Sequence, residues 1–93
     1  MRFEQLERIL DSVPSVRKDG AAYVVPEDSE LSLYVELQSE VLAVARISHF
    51  ERNGDMASID THQGDRYYVP IESIALVKVT GSRRAKERAA GFR

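Results

Sequence analysis

The sequence predicts a mainly β domain that opens with one helix and continues as a five-stranded small barrel. Three observations carry this. Apolar residues recur at three- and four-residue spacing over the first thirteen positions. From Leu31 the spacing changes to two. Turn signals then interrupt the chain at Ser39-Glu40, Asn53-Gly54, Gln63-Gly64 and Pro70-Ile71. A short, twisted meander exposes two edges and removes them by curling, so a small barrel is the economical closure.

The helix is written in Phe3, Leu6, Ile9, Leu10 and Val13, which form one apolar stripe. Glu4 and Arg8 stand four apart in the favourable order. Pro14 ends the helix because it has no amide hydrogen and disfavours helical backbone before it. Residues 14–30 read as a connector with turns at Lys18-Asp19-Gly20 and Pro26-Glu27-Asp28-Ser29. Ala21–Val25 between them predicts a short edge strand. Leu31, Leu33, Val35 and Leu37 alternate with Ser32, Tyr34, Glu36 and Gln38, a half-buried first barrel strand.

The run Val41–Arg52 is long for a strand, and its large residues change phase between Val44 and Ile47. A bulge or sharp bend near Ala45 accounts for that change. Asn53-Gly54 predicts a type I′ hairpin. Strands over Asp55–His62 and Arg66–Val69 follow, then a single helical turn over Pro70–Ser73. Ile74–Val79 is the last strand, apolar on both faces except at Lys78.

The chain has 93 residues, 43% apolar and 30% charged, which suits one globular domain over residues 1–81 with a tail over 82–93. There is no cysteine, hence no disulfide, thiolate metal site or cysteine nucleophile. No apolar run approaches the roughly 18 residues of a membrane span, and the first residues lack an apolar signal core. The expected location is cytoplasmic. The net charge of −2 divides unevenly: residues 1–79 carry −6 and residues 80–93 carry +4. Arg83, Arg84, Lys86 and Arg88 are therefore the candidate contacts for a nucleic acid.

This order of elements resembles the Sm-like family, which includes bacterial Hfq, and small SH3-like barrels are similar in strand order. That family has an N-terminal helix and five strands, the second long and bent, with one helical turn before the fifth. Leu31–Gln38, Val41–Arg52, Asp55–His62, Arg66–Val69 and Ile74–Val79 would fill its five strands. The resemblance implies a ring-forming, RNA-binding barrel. Where that family places lysine and histidine entering the last turn, this chain has Tyr68-Val69-Pro70. A second stretch, Ile47–Glu51 with Asn53-Gly54-Asp55, Ile59-Asp60-Thr61, Gly64 and Tyr67-Tyr68-Val69, is similar to the first half of LytTR-type DNA-binding domains.

Few residues suggest chemistry. Ser48 and His49 are neighbours along a strand and point to opposite faces, as do Thr61 and His62, so neither pair makes a nucleophile and its base. Asp60, His62 and Asp65 have metal-ligand chemistry, but they are also ordinary hairpin residues. No glycine-rich phosphate loop is present. No catalytic residue, metal or cofactor is expected. Tyr34, Tyr67 and Tyr68 are candidate partner-binding residues. In the last strand Ile74 and Leu76 are expected inside, leaving Ala75, Val77 and Val79 outside as an oligomer interface. The chain thus reads as a non-catalytic β-barrel interaction module, its partner another copy or another protein. An Sm-like nucleic-acid binder is the alternative.

Overall fold

The computed structural model describes residues 1–80. Helix α1 (Phe3–Asp11) is followed by strands β1 (Arg17–Asp19), β2 (Ala22–Val24), β3 (Glu30–Leu37), β4 (Glu40–Val44), β5 (Ile47–Asn53), β6 (Met56–Thr61) and β7 (Arg66–Pro70). A 3₁₀ turn (Ile71–Ser73) leads into β8 (Ile74–Thr80). The protein is mainly β with one N-terminal helix, as the sequence predicts. All neighbouring strands are antiparallel, in two sheets ordered β1-β2-β5-β6-β7 and β4-β3-β8.

Among the described residues eight strands stand where five barrel strands and one short edge strand are expected, for two reasons. Residues 14–30 are not merely a connector. Arg17–Asp19 and Ala22–Val24 form a hairpin around Gly20, whose φ of +64° suits a residue without a Cβ. Strand β2 is not an edge: it lies between β1 and β5. The outer position is taken by Arg17-Lys18-Asp19, a short, fully charged segment that resists further pairing. Second, the long bent strand divides at Ala45-Arg46, where Arg46 adopts φ +56°. That left-handed residue sends the chain out of the three-stranded sheet and into the five-stranded one.

The predicted phase change has a second component. The β5–β6 register slips between Ile47 and His49, so Ile47 and Phe50 both point inward although three apart. The β5–β6 loop is Gly54-Asp55, one residue later than Asn53-Gly54, since Asn53 pairs with Met56. Only Gly54 has positive φ there, so the loop is not type I′, which needs two such residues.

The core lies between the sheets. Leu31, Leu33, Val35, Val44 and Ile74 meet Tyr23, Ile47, Phe50, Ala57, Ile59 and Val69. Tyr23 and Phe50 pack with ring centroids 6.4 Å apart and planes at 58°, a tilted aromatic pair. Leu6 and Leu10 close one end of this core from α1. The helix is also held from its polar side: Glu7 accepts from Lys18 Nζ at 3.1 Å and from the Tyr23 hydroxyl at 3.5 Å. The Glu7 hydrogen bond raises the Lys18 pKa, and burial raises that of Tyr23.

Candidate interaction surface

Strand register decides which side chains share the outer face of the three-stranded sheet, because cross-strand partners point the same way. Tyr34 of β3 stands opposite Ala43 of β4 and Leu76 of β8. Glu36 stands opposite Val41, and Ser32 opposite Lys78. The middle row is thus Ala43-Tyr34-Leu76, with Val41 beside it. Val41 is 61% exposed and Leu76 50%. Two large aliphatic side chains on neighbouring rows of one sheet face stand in water beside a half-buried tyrosine.

Strand β8 reverses one expectation. Its pairing with β3 slips between Val35–Ile74 and Tyr34–Leu76, so Ala75 is an extra, bulged residue. Beyond the bulge the phase flips. Leu76, expected inside, is exposed, while Val77, expected outside, packs partly against the core opposite Leu33. Ala75 is exposed at the bulge. Val79 is 44% exposed at the core's rim, opposite buried Leu31. Ala75, Val77 and Val79 therefore do not form one outward row. Leu76 and Lys78 do.

The three tyrosines do not converge. Tyr34 is on the outer face of the three-stranded sheet. Tyr67 packs against the core from β7, opposite Ile59. Tyr68, 64% exposed, is on the outer face of the five-stranded sheet, opposite Ser58.

That second outer face is polar. Arg66 Nε donates to Asp60 Oδ1 at 2.5 Å and its Nη2 to Oδ2 at 3.1 Å, a forked ion pair across β6 and β7. Arg66 Nη1 also donates to the Tyr68 hydroxyl at 3.5 Å. On the other side of Asp60, His49 Nδ1 lies 3.7 Å from Oδ2. The Arg66 hydrogen bonds hold the Asp60 carboxyl below its usual range, and Asp60 first, then Tyr68, raises the guanidinium. Asp60 is thus engaged by Arg66 rather than turned toward His62 and Asp65. Among the described residues no group of three His, Asp or Glu side chains is placed to hold a metal ion. The Asp65 amide instead donates to Thr61 Oγ1 at 3.2 Å, a turn contact.

Two shallow clefts flank α1. One, of about 330 Å³, lies between the helix start, Arg52, Asp55 and Glu72. Of the two arginines that line it, Arg52 stacks 4.3 Å from the centre of the Phe3 ring and donates from Nε to the Gly54 carbonyl. The other is lined by Gln5, Ile9, Glu36, Glu72, Ile74 and Ala75, and so adjoins the exposed sheet face at Glu36. Neither cleft collects one charge sign over a nucleophile or base.

The tail candidates Arg83, Arg84, Lys86 and Arg88 lie outside the described residues. No helix among the described residues is long and apolar enough to cross a membrane. Compared with models of known families, with curated proteins and with solved structures, the chain matches none.

Val41, Ala43 and Leu76 were not singled out by sequence. Val41 and Ala43 read there as parts of one long strand. Leu76 read as core because nothing in Ile74–Val79 marks Ala75 as a bulge. Only the β3 pairings place these residues with Tyr34.

Proposed function

We propose that this chain is a non-catalytic interaction module, a small barrel of Sm-like or SH3-like type that self-assembles or docks a protein through the outer face of its three-stranded sheet. The barrel reading is supported by strand continuity. The chain runs from β4 through Ala45-Arg46 directly into β5, which links the order β8-β3-β4 to β5-β6-β7 around one core. The observation that carries the functional reading is the exposed row Ala43-Tyr34-Leu76 with Val41. Large apolar side chains grouped on a sheet face gain free energy when a partner removes them from water, at roughly 25 cal/mol per Å².

Charge favours a protein partner over a polyanion. The described part of the chain is acidic, with eight basic and fourteen acidic side chains, and such a surface repels phosphate backbones. The test is solution mass by light scattering for the natural chain and Leu76→Glu. The expected result is an assembly larger than one chain that the variant dissociates without changing the β-type circular dichroism. An assembly indifferent to Leu76→Glu removes this face from the interaction.

A further inference from the structure

Exposed charges of opposite sign flank Tyr34 on this face. Lys78 lies opposite Ser32, two residues to one side of Tyr34 along β3, with Glu30 two residues further out, and Glu36 lies two residues to the other side. Neither Lys78 nor Glu36 makes an ion pair among the described residues. Next to Glu36, at the bulged Ala75, is a cleft that also holds Glu72 and the Met1 ammonium, which donates to the Glu72 and Ile74 carbonyls.

We infer that a second copy of this chain covers this face, related by a two-fold axis that runs across the strands over Tyr34. This rests on the interaction-module reading proposed above and specifies its partner. Such an axis lays the row Ala43-Tyr34-Leu76 over the same row of the other copy. It also exchanges the two ends of the face, so Lys78 of each copy stands level with Glu36 of the other, two residues from the axis. There its ammonium meets the Glu36 carboxylate, and the contact is made twice. Two sheets packed face to face are about 10 Å apart, within the combined reach of a lysine and a glutamate standing toward each other. A self-complementary patch of this kind is what an isologous dimer requires. The apolar row supplies the burial, and the charges at either end set the register and reject the parallel arrangement, in which Lys78 faces no carboxylate.

The test is sedimentation equilibrium on the full chain, with charge exchange. The natural chain is expected at twice its 10.5 kDa mass. Lys78→Glu and Glu36→Lys should each weaken dimerisation at least about tenfold, because each puts like charges together at both contacts. The double variant should recover most of the loss. Both positions are exposed, so each variant should keep the circular dichroism and a cooperative melt, and loss of either identifies a variant that fails to fold.

A monomer at every concentration, a ring larger than a dimer, or a dimer without rescue in the double variant overturns the inference. The outcomes separate it from the reading beneath it. If Leu76→Glu dissolves an assembly that the charge exchange does not rescue, the module stands and this two-fold arrangement falls. If Leu76→Glu leaves an assembly intact, both fall. A monomer that dimerises only after removal of residues 82–93 shows that the tail, not a second copy, occupies the face.

Discussion

Leu76 and Val77 are adjacent, similar in size and opposite in fate. Their difference comes from Ala75, whose bulge moves the rest of β8 by one residue relative to β3. This makes a direct test of phase. Val77→Asp places a carboxylate against Leu33 and should lower stability by about 1–3 kcal/mol in denaturant unfolding. Leu76→Asp, measured at concentrations where the natural chain is monomeric, should change it by no more than about 0.5 kcal/mol, as an exposed substitution does. Phe50→Ala, at the centre of the core, should cost about 3–5 kcal/mol. Asp60 gives a pH dependence. Its folded pKa is depressed by Arg66, so its contribution is complete above the unfolded pKa and is lost as pH falls through the folded one. Melting temperature should decline on the acid side below about pH 4, and Asp60→Asn should make that limb shallower.

At the scale of elements, the bend between β4 and β5 depends on one residue. Arg46 holds φ +56° without being glycine or asparagine, a conformation that costs about 1 kcal/mol for a residue with a Cβ. Arg46→Gly should therefore be neutral to stabilising by up to ~1 kcal/mol, and Arg46→Val destabilising, in thermal unfolding. The bend itself was legible, because the phase of Leu42 and Val44 does not continue into Ile47. That it ends one sheet and begins another was not, since a phase change says nothing about which strands pair on either side. Strand β1 was illegible for a different reason. Arg17-Lys18-Asp19 has no apolar member, so its pairing with β2 leaves no mark in the hydrophobic pattern. The Asn53-Gly54 signal located its hairpin to within one residue, and the remaining shift reflects register set by Ala57 and Ile59 facing the core.

For the whole molecule, the core among the described residues is built between Leu6 and Ile74. Residues 82–93 hold one large apolar side chain, Phe92, and so little apolar surface. Deleting them should leave the melting temperature within a degree or two, roughly the effect of a small surface change. Labelled A-rich or U-rich RNA should bind weakly and without selectivity at physiological salt, and any binding at low salt should vanish with the tail. Tight, selective binding that survives both would place the protein among nucleic-acid binders.

The helix and its apolar stripe, the half-buried strand at β3, the turn before β8 and the acidic character of the body are legible in the order of residues alone. Each of these is set by local spacing or composition. Tertiary structure decided everything that depends on which strands lie side by side: the two sheets, the interior place of β2, the exposure of Leu76 and the meeting of Tyr34 with Ala43. A period of two assigns residues to two faces but does not say which face a neighbour will cover. Each bulge exchanges those faces, and a bulge is chosen by the fit of the whole core.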